Sequence, residues 1–405
     1  MIKKFISLFL SFSVINILNR LIPLFTVPIL TNKLGLEGYG LYLIILTYTV
    51  LFDTLISFGF KTTAVIELNF CKDSEQENEL FFRVLFSKLL VTFPLIIILF
   101  CVLIQYEIDV YYLFVFCLFM LLGAALNQEW YFHGKKKMKT VLSINFPIRI
   151  LYLVLIYFFI RNVNDLKFAL IFFSVTFFLQ SFIGLIMAVS LFKLILPKSF
   201  KLKTIVTQYK NSGYFFLSKL SSYFYTSFNF IILDNFYSPA IIGVYGIADK
   251  LVNVVRDFSN IFNNSILPLL AEKQKINKNQ INIIFLIYLV SVFLIFSFVS
   301  MGISFFSNDL FLFFNSETDH LLLGSKLIKI LALSIPITVV TGSLSQMYLI
   351  KSQSKKLFWI TSIFALISLI TLYITASNYE LITFGYAYVI LMLVLFSLSL
   401  INIKK

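Results

Sequence analysis

Apolar runs of membrane-spanning length follow one another along this entire chain, and no water-soluble fold could bury all of them. They fall at roughly 5–30, 40–59, 84–105, 110–127, 140–160, 166–192, 214–236, 240–268, 280–306, 322–350, 356–376 and 381–402. A helix crosses bilayer hydrocarbon with about 20 apolar residues, so the runs predict about twelve transmembrane helices. Strands are excluded as spanning elements, because an open strand leaves its backbone unsatisfied in lipid and no barrel-like alternation is present. The expected fold is an all-α integral membrane protein. With 60% hydrophobic and 13% charged residues, the chain cannot surface a sizeable domain in water. The start, Met1–Lys4 and an apolar run, resembles a signal peptide in outline. That run continues to Leu30 with no small-residue cleavage site behind it, so it reads as a retained first helix.

The loops separate by charge. The termini and the loops after even-numbered helices carry Lys3, Lys4, Lys61, Lys72, Arg83, Lys88, Lys135, Lys136, Lys137 and Lys139, and further on Lys193, Lys198, Lys201, Lys203, Lys210, Lys273, Lys275, Lys278, Lys351, Lys355, Lys356, Lys404 and Lys405. The loops after odd-numbered helices carry only Lys33, Arg161 and Lys167. Such an asymmetry places both termini and the basic loops in the cytoplasm. It also accounts for a formal net charge of +14 without any nucleic-acid partner.

Six predicted helices precede a basic stretch and six follow it. The expected division is an N-terminal bundle over 1–195, a cytoplasmic linker over 196–213 and a C-terminal bundle over 214–405. TNKLGLEGYGLY (31–42) and DNFYSPAIIGVY (234–245) align Gly40-x-Tyr42 with Gly243-x-Tyr245 at an offset of 203 residues. A six-helix unit returns its copy in the same orientation, so the repeat predicts a parallel pseudo-twofold axis along the membrane normal. Two bundles around a central cavity is the architecture this favours.

An ionised side chain in hydrocarbon costs a few kcal/mol or more, so each one needs a reason. Outside the loops stand Arg20, Arg149, Lys219, Lys250, Arg256, Lys326 and Lys329, with Asp53, Asp249 and Asp257 as acidic counterparts. On the eighth helix Asp249, Lys250, Asn253, Arg256, Asp257, Asn260, Asn263 and Asn264 share one helical face. At about 1.5 Å per residue the stripe runs roughly 22 Å. It faces either a hydrated path or a neighbouring helix through amide and ion-pair contacts. Asn16, Asn19, Arg20 and Pro23 repeat the theme on the first helix, and Lys219, Tyr223 and Thr226 on the seventh. Arg149 and Lys219 can alternatively snorkel to cytoplasmic headgroups, and Lys326 and Lys329 to the outer ones.

The cationic excess implies an anionic cargo. Arg20, Lys250, Arg256, Arg149 and Lys219 are the candidates to bind it, since guanidinium and ammonium groups recognise phosphate. Asn16, Asn19, Asn253, Asn260, Asn264 and Tyr223 would line the path. Asp53 first, then Asp249 or Asp257, are candidates to couple H+ or Na+ through a carboxyl tuned by burial and nearby cations. No other cofactor is expected: the three cysteines form no CxxC pair, the two histidines stand far apart, and no GxxxxGK[ST] loop occurs. No nucleophile–base constellation is present, and the outward loops are short, so the chain does not read as an enzyme.

LNQEWYFHGKKKMK (126–139) resembles the signature loop of bacterial polysaccharide-repeat flippases, through Trp130, Tyr131, Phe132, Gly134 and Met138. ILTNKLGLEGYGLY (29–42) resembles the family's end of helix 1, and LSKLSSYFYTSFNFIILDNFYSPAIIGVYGIADKL (217–251) its helix 7–8 segment, with Lys250 at the usual lysine. Pro268 matches the proline that closes helix 8. The chain thus resembles O-antigen flippases of the multidrug/oligosaccharidyl-lipid/polysaccharide exporter superfamily over essentially its whole length. It departs where the family has an acidic residue in helix 7, here Asn229, and in Phe58-Gly59-Phe60-Lys61 after helix 2. The resemblance implies transfer of an undecaprenyl-diphosphate-linked oligosaccharide from the cytoplasmic to the periplasmic leaflet by ion-coupled alternating access. The implied partners are that glycolipid, membrane lipid, and the polysaccharide polymerase with its chain-length machinery. A peptidoglycan-precursor flippase and a drug or metabolite antiporter of the same superfamily remain the alternatives.

Overall fold

The computed structural model describes the backbone of residues 2–197, 202–274, 278–316, 318–350 and 353–403, and side chains over 22, 24–197, 204–259, 285–316, 318–348, 353 and 355–401. Every regular element among the described residues is helical. The chain divides into two compact units, Met1–Tyr223 and Phe224–Lys405.

The first unit holds α1 (Ile2–Ser57), α2 (Phe60–Leu68), α3 (Ser74–Leu103), α4 (Val110–Leu126), α5 (Glu129–Gly134), α6 (Met138–Phe159), α7 (Leu166–Phe192) and most of α8 (Leu202–Thr226). α1 merges the first two predicted spans; Gly35, at φ 70° and ψ 174°, breaks its helical path. An aspartate opens α3 by accepting a hydrogen bond from Gln76 N (Asp73, 2.8 Å), and another opens α4 from Tyr111 N (Asp109, 3.1 Å). α1 packs against α3, α4 and α6, while α4 packs along α7. The signature aromatics Trp130, Tyr131 and Phe132 of α5 are buried with Phe60, Phe81 and Val84 of α2 and α3 in one core cluster. Tyr131 meets Phe81 edge to face at 5.0 Å and Phe192 at 5.1 Å.

The second unit holds α9 (Asn229–Asp234), α10 (Pro239–Gln274), α11 (Lys278–Phe305), α12 (Ser307–Phe314), α13 (Leu321–Ala332), α14 (Ser334–Ile350), α15 (Ser354–Asn378) and α16 (Leu381–Ile403). α10 packs on α13 and α14, and α16 packs on α13, α14 and α15. Each unit buries the tyrosine of its Gly-x-Tyr pair. Tyr42 stands edge-on to Phe173 of α7 at 6.3 Å, and Tyr245 edge-on to Phe384 of α16 at 5.7 Å.

Among the described residues, nine helices are long and apolar enough to cross a membrane. Of the twelve expected spans, most of the first and the end of the eighth lie outside the described side chains. Predicted helix 7 is interrupted at Ser227–Phe228, between α8 and α9. α8 and α10 carry too many charged and hydroxyl or amide side chains to count as apolar spans.

The unit boundary falls within α8, beyond the basic stretch at 196–213. The first part of α8 is tied to its own unit by specific bonds. Tyr209 Oη donates to Ser87 O at 2.6 Å, Gln208 Nε2 donates to Glu67 Oε1 at 3.3 Å, and the Thr63 and Ser212 hydroxyls lie 2.7 Å apart. Phe58 stacks on Phe216 at 4.2 Å.

Lys88 does not occupy a loop, where its charge would be expected to sit. It lies inside α3 with 0% of its surface exposed. Outward-facing Phe93 and Ile97 on the same helix, against buried Thr92, Ile96 and Leu99, show the lipid-facing and core faces of α3.

Gly59 makes the turn from α1 to α2 at φ 76°, a left-handed conformation that costs other residues about 1 kcal/mol or more. A Cβ there would lie 2.8 Å from Phe216 N and 3.0 Å from Ser212 O, both backbone atoms of α8. Gly59→Ala is expected to destabilise the protein by about 1–3 kcal/mol. Gly213→Ala, where a Cβ meets nothing within 4 Å, is expected to stabilise the α8 interior by up to about 1 kcal/mol. Melting temperatures of the two variants in detergent check this contrast; equal melting would refute the Gly59 packing.

Candidate functional site

The turn at Phe58 and Gly59 folds α2 back toward the end of α1, and this brings Lys61 to Asp53. Their ion pair measures 3.3 Å, with the Lys61 side chain 43% exposed. Ser57 Oγ donates to the same carboxylate at 3.4 Å. Lys219 of α8 lies within electrostatic range of Lys61 and Asp53, and Lys88 within range of Lys61, Asp53 and Glu129. Three lysines and two acids from five helices therefore form one network with a single positive charge in excess.

The three lysines differ in what they can do. Lys88 Nζ donates to Asn127 O at 2.6 Å and to Ala124 O at 3.3 Å, so it is spent on the carbonyls that end α4. Such carbonyls lack an intrahelical partner and carry the negative end of the helix dipole, which a cation satisfies. Lys61 and Lys219 are exposed and can meet an anion. Sequence reasoning counted Lys61 and Lys88 as loop charges. The helix cap at Asp73 was the available signal for Lys88: at about 1.5 Å per residue it lies roughly 22 Å beyond that cap. For Lys61, the signal was its place directly after a glycine turn.

Two further ion pairs join the short helices to α3. Arg83 pairs with Glu67 at 2.8 Å, and Lys135 with Glu77 at 2.5 Å. Cys71, in the turn between α2 and α3, has its thiol pushed up by burial and then by the Glu77 charge.

In the second unit the described part of the polar stripe forms a chain of bonds on α10. Asn253 Nδ2 donates to Asp249 Oδ2 at 2.6 Å, and Arg256 donates to Asn253 Oδ1 at 3.0 Å. The same guanidinium donates to Ser334 Oγ at 3.0 Å and lies 5.5 Å from the Tyr388 ring centroid. These contacts fasten α10 to α14 and α16, as a helix–helix interface would. Lys250 is half-buried and Asp257 exposed. Asn229, where the resemblance led one to expect an acid, is buried and donates to Tyr245 Oη at 3.3 Å.

The expected site residues thus fall into groups. Asp53 and Lys219 share the first unit's network, and Asp249, Asn253 and Arg256 share the second unit's chain. Tyr223 is buried and donates to Thr47 O at 3.0 Å, so it ties α8 to α1 instead of lining a path. Arg149 is half-buried on α6. Arg20, Asn16, Asn19, Asn260 and Asn264 lie outside the described side chains, as do Asn263 and Pro268.

A family model described as polysaccharide biosynthesis protein matches residues 5–274. A Shigella dysenteriae protein named "Putative O-antigen transporter" is 25% identical over 256 residues, covering 63% of this chain and 64% of the relative. A protein of the same name from Escherichia coli (strain K12) is 22% identical over 269 residues, covering 64% of this chain and 63% of the relative. In both alignments the chain spans somewhat less than two thirds of the relative's length. Among solved structures, the fold is similar to a lipid II flippase MurJ in an inward closed conformation, with a TM-score of 0.77 at 16% identity over 98% of this chain and 88% of that one. It is also similar to an inward-facing multidrug resistance MATE family transporter of the MOP superfamily, with a TM-score of 0.69 at 15% identity over 95% of this chain and 94% of that one. At such identities the likeness concerns the fold alone.

Lys88→Met keeps the length of the side chain but abandons two buried carbonyls, at an expected cost of about 1–3 kcal/mol. Thermal melting and the amount of folded protein in membranes should both fall; unchanged melting would show that the carbonyls do not need the ammonium.

Proposed function

The chain belongs to the polysaccharide biosynthesis protein family, and from that premise we propose that it is a flippase. Its cargo is an undecaprenyl-diphosphate-linked oligosaccharide, such as an O-antigen or capsule repeat unit, carried from the cytoplasmic to the periplasmic leaflet of the bacterial inner membrane. The observation that carries this reading is the pair of exposed cations, Lys61 and Lys219, set around Asp53. Accessible cations in a network with one positive charge in excess suit an anionic ligand, and a diphosphate supplies one. A sugar head cannot cross hydrocarbon unaided, because its hydroxyls would lose their hydrogen bonds. Its lipid tail can stay in the bilayer while a polar path carries the head.

Alternating access follows from the same requirement, since a path open to both sides at once would leak ions. Both termini lie in the cytoplasm, on the side of the dense lysine loops. Asp53 is the first candidate for ion coupling because its Lys61 partner gives it two states: paired, or released when cargo phosphate takes the lysine. Asp249 is the second, bonded to Asn253 beside Arg256. The polysaccharide polymerase and its chain-length machinery are the expected receivers of the product. No covalent step is required. A peptidoglycan precursor or a drug would suit the same fold, and the names of the O-antigen relatives favour the polysaccharide repeat over both.

Leaflet-resolved detection of the lipid-linked oligosaccharide in cells with and without the protein tests the cargo. Accumulation in the cytoplasmic leaflet in its absence, reversed by re-expression, is the expected result; an unchanged distribution would assign another cargo. Lys61→Glu with Lys219→Glu is expected to lower translocation about tenfold or more at normal protein level, since each reversal adds repulsion to lost attraction. Full activity in that double variant would remove these lysines from the cargo site.

A further inference from the structure

A small cleft lies beside α5, between the end of α4 and the helices α6 and α7, and shares Glu129 with the network around Lys61. Its lining includes Gln128, Glu129, Asn145, Gln180, Ser181 and Gly184. Its floor is unusual for a protein interior. Gln128 and Ser181 are 2% and 3% exposed, yet Gln128 Nε2 and Ser181 Oγ have no hydrogen-bond partner among the described residues. Buried polar atoms of that kind are rare in proteins, because each costs the full loss of its hydration.

The orientation of the Gln128 amide is set by its neighbour. Trp130 Nε1 donates to Gln128 Oε1 at 2.7 Å, so the amide nitrogen is the atom left over, and it requires an acceptor. Glu129 is held differently: Asn145 Nδ2 donates to its Oε1 at 3.1 Å, and the carboxylate has further acceptor capacity. The Ser181 hydroxyl can give or take. The cleft therefore asks for a group that accepts from an amide and donates to a carboxylate.

Few ligand chemistries meet both demands. A phosphate or carboxylate accepts well but is repelled by Glu129. A cation suits Glu129 but meets the amide hydrogens of Gln128. An apolar group leaves every polar atom unpaired. A hydroxyl satisfies all three side chains, because it donates one hydrogen and accepts two. The rim also leaves room for more than the hydroxyl itself: a Cβ built on Gly184 meets nothing within 4 Å.

We propose that this cleft is a carbohydrate subsite, in which a sugar hydroxyl inserts between Gln128, Ser181 and Glu129 while the ring rests at the Gly184 rim. The proposal rests on the flippase reading for its natural ligand, the neutral glycan portion of the cargo, but the chemistry of the cleft is that of any sugar. It separates two recognition tasks, with lysines for the diphosphate and an amide–hydroxyl–carboxylate cleft for the glycan.

The test uses the full chain in lipid nanodiscs and saturation-transfer NMR with methyl glucoside and N-acetylglucosamine as probes. Gly184→Phe fills the rim and leaves the polar floor intact; Ser181→Ala removes one floor hydroxyl with minimal change of shape. Sugar signals in the wild type that fall about fivefold or more in both variants, with unchanged melting temperatures, would support the subsite. Absence of sugar signals in the wild type, or equal signals in wild type and variants, would overturn it and leave a hydration site only. Displacement of the probe by co-reconstituted lipid-linked oligosaccharide would identify the cargo's glycan as the ligand, and persistence would identify a free sugar. Leaflet measurements keep the two readings apart: normal flipping by both variants refutes the subsite's part in transport alone, whereas no flipping by the wild type refutes the flippase reading while the NMR result still decides the cleft.

Discussion

A helix that ends inside a membrane protein exposes carbonyls with no water to receive them, and the close of α4 is such an end. The ammonium of Lys88, fully buried, takes up Ala124 O and Asn127 O there. That bond does more than neutralise a helix dipole. Asn127 uses its side chain to receive Glu129 N at 3.0 Å, so the same residue that is held by Lys88 also starts α5. From this anchored point the aromatic triplet Trp130–Phe132 turns into the core beneath α2 and α3, and the polar cleft opens beside it. Without a cation at that depth, the end of α4 would have to unwind or recruit water, and the residues that follow would lose their footing.

The lysines of the first unit illustrate how one residue type serves two purposes within a short distance. Lys88 is bound by backbone carbonyls and has no surface left for a ligand. Lys61 and Lys219 keep their side chains accessible, and only Lys61 has a direct acidic partner in Asp53. Burial separates the roles: a desolvated ammonium must be satisfied by the protein itself, whereas an accessible one can exchange a carboxylate for a phosphate. In the second unit, Arg256 leans toward the structural end of that range, since Asn253, Ser334 and the Tyr388 ring already occupy its planar face and edges.

Much of this was legible before any fold was known, and the misses have identifiable causes. The apolar runs announced helices, and the resemblance around Trp130–Gly134 pointed to polysaccharide export. Lys88 was misplaced because a loop census reads charge by proximity to run boundaries, and α3 begins ten residues before the apolar run it contains. Tyr223 shares a polar helical face with exposed Lys219, yet its own hydroxyl is buried against Thr47 of α1. Glu129, Gln128 and Ser181 attracted no notice, since an amide beside a signature tryptophan and a serine in an apolar helix are individually ordinary.

The sequence alone determined that this chain lives in lipid as helices, because hydrocarbon tolerates no other way of satisfying so long an apolar backbone. It determined the surplus of cations and the family whose cargo would use them. Tertiary structure decided which of those cations are free. It paired Asp53 with Lys61 across a left-handed glycine turn, sank Lys88 under the end of α4, and left the Gln128 amide nitrogen without a partner among the described residues. Spacing along a helix fixes which residues share a face, but only the packing of other helices against that face determines whether a polar atom finds a partner there.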